Sequence, residues 1–456
     1  MKKYRLLSLL LLNLLLLLSF GCVKTFRYTI GCAEIKSDEK FTFFVASDLH
    51  YLSGESFDNG KAFNEFLASG DGKLVQYSGE LLDALIRDIK REQPDFLIIT
   101  GDLTCNGERK SHLELVGKLE TVEKDGTCVF VVPGNHDVQN PWAKQYIGDE
   151  AANANWISSD EYLNIYGHFG YDDAVSKDTD SLSYLAMPAE NTWLLMLDSS
   201  DSEENMGKQY PEQGGVLTSQ TLEWVEQCAG LATENKARLI AVMHHSLLDH
   251  SKIMNKNYTL NNNEEALKVF RRCGIEVVLT GHIHIQDIKT DLQDGNTIYD
   301  IGTSSLAVYP HQYGKMEFTP EQGFDYSTIM VDVGKWSRQT QVSDEFLLDF
   351  EACSMDFFKE QCCKMHQRCL TALDKLSEEE MNVVLETVDK MNVMYFAGYR
   401  NEALNGIVNT EGFRALEEIP QCFTKDYAMS MLNDERADNN ILHIPLHYNE
   451  GQASEE

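Results

Sequence analysis

Residues 41–50 read FTFFVASDLH, an apolar run that ends in a polar Asp-Leu-His segment. Short apolar runs bounded by turn residues are typical of buried strands. Loops at the ends of strands are where a rigid scaffold usually carries its chemistry. Asp48 and His50 therefore stand where a functional site is expected.

The same pattern returns four more times along the chain. The further apolar runs occupy residues 96–100, 129–132, 238–243 and 275–280. The polar segments that follow them are Gly101-Asp102, Gly134-Asn135-His136-Asp137, His244-His245 and Gly281-His282-Ile283-His284. Five loops with metal-type donors are not expected in a purely structural protein.

These donors suit a two-metal site. Hydrolysis of a phosphate ester needs a nucleophile at neutral pH and neutralised phosphate oxygens, and two divalent ions about 3.5–4 Å apart provide both. Asp102 could supply the bridging carboxylate. Asp, Asn and His donors without a thiolate suit manganese or iron, with zinc as the alternative. The sequence therefore predicts two such ions and cleavage of a phosphate ester.

Strands and helices alternate up to about residue 335, which predicts an α/β layered domain. Beyond it, helical patterns dominate. We divide the chain into a signal peptide (1–22), a tether (23–40), a catalytic domain (41–338) and a small all-α C-terminal domain (339–456). The last residues, Gly451 to Glu456, are expected to be disordered.

The net charge of −33 over 456 residues argues against a nucleic-acid polymer as partner, because such binding needs Lys and Arg. The eleven cysteines are scattered and predict small buried side chains rather than a disulfide framework. One C-terminal bridge to Cys422 stays open.

The first residues predict export. A basic start and a leucine-rich run to Phe20 are typical of a secretory signal. Cys22, in Ser19-Phe20-Gly21-Cys22, resembles the lipidated cysteine of a bacterial lipobox. We expect a lipoprotein on the outer face of the cell membrane, attached through this lipid only, with simple secretion as the alternative.

The five motifs together resemble the calcineurin-like metallophosphoesterases over residues 41–333. The resemblance implies a four-layer αββα sandwich with the site at the carboxyl ends of strands. It assigns one metal to Asp48, His50, Asp102 and His284. It assigns the other metal to Asp102, Asn135, His244 and His282. His136 would face the phosphate as a general acid or transition-state donor.

Residues 52–73 and 303–314 are similar to exported bacterial cyclic-nucleotide phosphodiesterases that carry a helical C-terminal extension. This resemblance implies that a metal-bound hydroxide attacks a cyclic nucleotide or another small phosphodiester while His136 assists the leaving group. A phosphomonoesterase such as a nucleotidase is the alternative enzyme. A metal-binding surface lipoprotein with mainly a binding function is the other alternative.

Three further residues are candidates for substrate contact. Asn59 and Tyr313 lie in the two segments that carry the closer resemblance. His245 is open between a substrate contact and a scaffold histidine.

Overall fold

The computed structural model describes residues 35–446 apart from 71, 206, 294, 400, 401 and 433–435. The predicted signal peptide, Cys22, most of the tether and the predicted disordered tail lie outside the described residues. Among the described residues, no helix combines the length and the apolar character needed to cross a bilayer.

Fifteen strands are described. They are β1 (Phe41–Ala46), β2 (Phe96–Ile99), β3 (Cys128–Val131), β4 (Lys144–Ile147), β5 (Glu150–Asn153), β6 (Ser176–Lys177), β7 (Tyr184–Ala189), β8 (Thr192–Leu197), β9 (Arg238–Met243), β10 (Val277–Thr280), β11 (Asp287–Gln293), β12 (Asn296–Gly302), β13 (Gln312–Thr319), β14 (Gly323–Met330) and β15 (Ile441–Pro445).

The α-helices fall into two sets, one interspersed with the strands and one near the C-terminus. The first set is α1 (Lys61–Ser69), α2 (Ser78–Glu92), α3 (Arg109–Lys124), α4 (Ser159–Tyr166), α5 (Ser219–Glu234) and α6 (Asn263–Arg272). The second set is α7 (Val333–Thr340), α8 (Glu345–Leu348), α9 (Phe350–Thr371), α10 (Glu378–Phe396), α11 (Glu402–Val408), α12 (Glu411–Glu418) and α13 (Phe423–Ser430).

The strands form two large sheets and a small hairpin of β4 and β5. One sheet has six strands in the order β15-β14-β13-β1-β2-β3, and the other has seven in the order β11-β12-β10-β9-β8-β7-β6. β1, β2 and β3 run parallel to one another, as do β8, β9, β10 and β12. Parallel neighbours bring their carboxyl ends to one edge of each sheet.

The alternation of side chains explains the layers. In β8, Leu194 and Met196 join the core between the two sheets, whereas Trp193 and Leu195 face α5 and α6 on the other side. Successive strand residues point to opposite faces, so one strand serves two apolar layers. Leu85 of α2 and its neighbours cover the outer face of the first sheet. The αββα sandwich and the helical C-terminal region predicted from the sequence are confirmed.

The end of the chain departs from the prediction. β15 pairs antiparallel with β14 and closes the edge of the first sheet, so the segment after the last helix is not all-α. Gln286 joins the two parts, since its backbone N–H donates to Phe396 O at 3.1 Å and its side chain to Asn439 O at 2.8 Å. These hydrogen bonds hold the C-terminal part of the chain against Gln286, which is two residues after His284.

The cysteine prediction was wrong at one position. Cys128, at the start of β3, is disulfide-bonded rather than a small buried thiol. Cys422 keeps a free thiol, so the C-terminal bridge that the sequence left open is not formed.

A buried charge network supports the edge of the second sheet. His250 Nδ1 lies 2.8 Å from Asp287 Oδ2, and His250 Nε2 lies 3.3 Å from Asp300 Oδ2. Lys289 contacts Asp287 at 3.1 Å. Burial alone would lower the pKa of His250, but Asp300 and Asp287 raise it to about 9.

We expect the stabilisation from His250 to be present below pH 6.5 and lost as the pH rises through about 9, because only the charged ring pairs with both carboxylates. The measurement is the difference in free energy of unfolding between the wild type and His250→Gln from pH 6 to 10. His443→Gln is the control, since His443 pairs with Asp325 at the exposed surface. A difference that stays constant with pH would contradict the prediction.

Candidate metal centre

The backbone at the strand ends adopts an uncommon conformation. Asp48, Asp102, His282 and His284 have positive φ angles of 51°, 49°, 68° and 63°. Non-glycine residues seldom occupy this left-handed region, and such strain concentrates at functional sites. The segments after β1 and β2 continue side by side beyond these residues, since Asp48 N–H donates to Gly101 O at 3.1 Å and His50 N–H to Asp102 O at 3.0 Å.

The structure brings one group of four predicted ligands together: Asp48, His50, Asp102 and His284. The Nε2 atoms of His50 and His284 lie 3.2 Å apart. Asp48 Oδ1 lies 3.3 Å from His284 Nε2, and Asp102 Oδ2 lies 3.7 Å from His50 Nε2. The four side chains therefore aim their donor atoms at one small volume.

A second group contains Asp102, His244 and His282, so that Asp102 belongs to both. Its other oxygen, Oδ1, lies 3.3 Å from His244 Nε2. Asn135 joins this side, because its Oδ1 lies 3.1 Å from His244 Nε2. All seven predicted ligands are thus neighbours, and one carboxylate stands between the two groups.

The donor atoms fit divalent cations. Asp48 Oδ1 is buried and has no hydrogen-bond partner among the described residues. An anionic oxygen in that position is costly unless a cation compensates it. Burial and the positive charge of Lys73 hold the pKa of His50 well below its usual value, and burial does the same for His282. Neutral imidazoles are the form in which histidine binds metals.

His136 lies beside these ligands without belonging to either group. Its Nδ1 lies 2.7 Å from Cys105 O and 3.0 Å from Asn106 Oδ1. Both partners are acceptors, so Nδ1 carries a proton and Nε2 is the atom that gains or loses one. Nε2 lies 3.8 Å from Asp102 Oδ2.

The carboxylate of Asp137 connects the two loops that carry Asp102 and Asn135. It accepts hydrogen bonds from the backbone N–H groups of Leu103, Thr104 and Gly134 at 2.8–3.0 Å. These donors come from the loops after β2 and β3. Asp137 is therefore a positioning residue that fixes Asp102 relative to Asn135 and touches neither ligand group.

None of the three substrate-contact candidates is among the described residues that line the cavity beside the ligand groups. Tyr313 was a wrong prediction, because it is 0% exposed and its ring packs on Phe44 in the core, 4.8 Å between centroids. Asn59 is exposed in the turn before α1 and is absent from the described residues that line the cavity. His245 holds Ser199 Oγ at 2.9 Å and Gln213 O at 3.0 Å, which favours the scaffold alternative.

A cavity of about 560 Å³ opens beside the ligand groups and continues to the helical region. Asp102, Asn135, His136, His282 and His284 line one end. The other walls include residues that the sequence analysis missed: Lys73, Lys256, Lys364 and Arg368. The signal in the sequence that could have pointed to them is their positive charge in a chain of net charge −33. A single sequence does not indicate which face of a helix meets the cavity.

Two sheets with a shared-carboxylate ligand set at their strand ends define a metallophosphoesterase. The chain belongs to the calcineurin-like phosphoesterase family, whose model matches residues 41–286. A second model, the C-terminal domain of cyclic nucleotide phosphodiesterase, matches residues 332–438. The protein is accordingly a hydrolase, and the resemblance stated from the sequence is confirmed.

The chain is similar to several individual proteins. The chain is 26% identical over 247 residues to a probable cyclic nucleotide phosphodiesterase from Psychrobacter arcticus, over 54% of this chain and 75% of the relative. It is similar to a dimetal phosphatase from Danio rerio, with a TM-score of 0.45 and 16% identity over 64% of this chain and 95% of the other. It is also similar to a purple acid phosphatase from Lupinus luteus, with a TM-score of 0.40 and 11% identity over 64% of this chain and 52% of the other.

Gly134 has no room for a side chain, because a Cβ there would overlap Asp102 Oδ1 and the Asp102 backbone nitrogen. We expect Gly134→Ala to displace Asp102 and weaken metal binding by roughly 10- to 100-fold. Chelator competition measures the affinity. Gly117→Ala is the control, since a Cβ on Gly117 of α3 would meet nothing within 4 Å. Wild-type affinity in Gly134→Ala would show that Asp102 does not need this space.

Proposed function

We propose that the protein hydrolyses small phosphodiesters, with cyclic nucleotides as the candidate substrates. The observation that carries the proposal is the place of His136, which faces the cavity beside two ligand groups that share Asp102. Two similarities add support. The relative from Psychrobacter arcticus is named a probable cyclic nucleotide phosphodiesterase, and the C-terminal model describes a domain of cyclic nucleotide phosphodiesterase.

Asp48, His50, Asp102 and His284 would hold one divalent ion, and Asp102, Asn135, His244 and His282 the other. We propose manganese or iron, with zinc as the alternative, since mixed carboxylate and imidazole donors accept all three. When bound, such ions lower the pKa of water and neutralise charge on the phosphate.

The protein's own part in the reaction rests on His136. Its Nδ1–H is held by Cys105 O and Asn106 Oδ1, which fixes the ring plane and leaves Nε2 towards the cavity. Nε2 lies 3.8 Å from Asp102 Oδ2 and so stands next to the carboxylate that belongs to both ligand groups. Nε2–H can then donate its proton to the oxygen that leaves phosphorus, and the neutral ring can take a proton back from water.

We expect His136→Asn to lower kcat by about 10²- to 10⁴-fold on diesters and to leave the metal content unchanged, because general acid catalysis is lost while the ligands remain. The assay compares bis-p-nitrophenyl phosphate, p-nitrophenyl phosphate and 2′,3′- and 3′,5′-cyclic AMP with the manganese-loaded protein. Asp102→Ala serves as the blank.

The same assay separates the alternatives. Faster turnover of the monoester than of the diesters would replace the proposal with a phosphomonoesterase. Activity that does not depend on metal or on His136 would overturn it. Metal binding without hydrolysis of any of these compounds would leave the binding-protein alternative.

We also propose that the protein is exported and anchored through a lipid on Cys22. The support is the order of the basic start, the apolar run and the cysteine. When the protein is produced in a bacterium, a radiolabelled fatty acid should be attached to the wild type but not to Cys22→Ser. The Cys22→Ser variant should also be lost from the membrane fraction. Equal labelling of both proteins would contradict the anchor.

A further inference from the structure

The helical region forms the far wall of the cavity that contains the ligand groups. α9 contributes Lys364 and Arg368, α10 contributes Tyr395, and α13 contributes Phe423 and Tyr427. The helices therefore help to shape the space in which a substrate would lie. Their residues can recognise a part of the substrate away from the cleaved bond.

The charge of this cavity is opposite to that of the whole protein. The chain carries a net charge of −33. Four residues that line the cavity are basic, namely Lys73, Lys256, Lys364 and Arg368, whereas Asp102 is the one acidic residue in the described lining. Asp102 also belongs to both ligand groups. A cleft with one sign of charge concentrates ligands of the opposite sign.

The basic groups lie at separate places along the cavity. Lys73 lies near the ligand end, close enough to His50 for its charge to act on that ring. Lys364 and Arg368 are four residues apart on α9 and so share one face of that helix. Lys364 Nζ lies 3.1 Å from Glu360 Oε1.

Arg368 is a basic group of the helical region whose charge is available to a ligand. Its side chain forms no hydrogen bond or ion pair with the described part of the chain, and it is exposed to the cavity. A guanidinium group presents a planar set of donors that matches two oxygens of a phosphate. It could therefore hold a phosphate group at this end of the cavity.

The cavity wall offers a nucleobase one exposed aromatic ring, that of Phe423, whereas Tyr395 and Tyr427 are buried and support it from the core of the helical region. The rings of Phe423 and Tyr427 are 5.8 Å apart and nearly parallel, at 16°. Tyr395 meets Tyr427 edge-on at 6.3 Å. Bases stack on such rings without dependence on their identity.

We propose that Arg368 binds a second phosphate group, distinct from the one that is cleaved, and that the preferred substrate is a dinucleotide. A linear dinucleotide with a 5′-phosphate and a cyclic dinucleotide both have this chemistry. A cyclic mononucleotide has one phosphate and would leave Arg368 unused. The inference rests on the proposed function and names its substrate class.

Hydrolysis of a linear dinucleotide needs water as its only other reactant. Water adds across the P–O bond, and its oxygen stays on phosphorus. The P–O bond to the leaving ribose oxygen breaks, and that oxygen takes a proton from His136. Two mononucleotides result, and the second phosphate at Arg368 is unchanged.

The test uses the manganese-loaded full-length protein with four compounds: the linear dinucleotide pApA, cyclic di-AMP, 3′,5′-cyclic AMP and bis-p-nitrophenyl phosphate. The variants are Arg368→Ala and Arg368→Lys. Arg414→Ala is the control, because Arg414 is an exposed arginine of α12 outside the described cavity lining. Thermal unfolding of each variant verifies that the fold is retained.

We expect a dinucleotide to have the highest kcat/KM in the wild type. Arg368→Ala should raise KM for it roughly tenfold, as expected for loss of a charge-assisted hydrogen bond, with kcat little changed. Turnover of cyclic AMP and of bis-p-nitrophenyl phosphate should change by less than about twofold in that variant. Arg368→Lys should fall between Arg368→Ala and the wild type. The linear and cyclic arms show which form of dinucleotide is used.

An equal loss on all four compounds, or no loss on either dinucleotide, would overturn the inference. So would a wild type that prefers cyclic AMP to both dinucleotides. If bis-p-nitrophenyl phosphate and all nucleotides resist the metal-loaded wild type, the proposed function fails instead. In that case, calorimetric binding of pApA to the wild type and to Arg368→Ala still decides the role of Arg368.

Discussion

The carboxylate of Asp102 lies 1% exposed among the side chains of His50, His136 and His244. Burial alone would raise its pKa, yet the imidazoles of His244 and His136 hold the pKa well below its usual value. A charged group in such a place is stable only where its surroundings compensate it. Three features of the structure hold this carboxylate in place. Asp102 has a positive φ, and Gly134 has no side chain that would overlap it. The backbone N–H of His136 donates to Asp102 Oδ1 at 3.0 Å.

The ligand set could be predicted from the sequence because its signals are local. Each donor follows an apolar run that forms a strand on its own pattern, and parallel strands bring such ends together. β15 could not be predicted in this way. It has five residues and ends at Pro445, and it exists as a strand because β14 offers an open edge more than a hundred residues earlier in the chain. Tyr313 failed for a related reason, since nothing local shows that its strand turns that ring into the core.

The helical region is more than an appendage to the sandwich. Its contact with Gln286 fixes the chain just beyond His284, and Tyr395 OH donates to His250 O at 3.4 Å. The same helices bring Arg368 and the aromatic rings of α13 to the cavity. Helical periodicity alone predicts these helices but not the face that each one presents, because that face depends on docking against residues far away in sequence.

The most direct test of the shared carboxylate is the number of metal ions per chain. Mass spectrometry of the metal content after equilibration with manganese and removal of excess should give two ions for the wild type. His282→Ala should retain one ion, and Asp102→Ala should retain neither while circular dichroism shows a folded protein. A wild type with a single ion, or an Asp102→Ala variant that keeps both, would contradict the assignment of Asp102 to two metal ions.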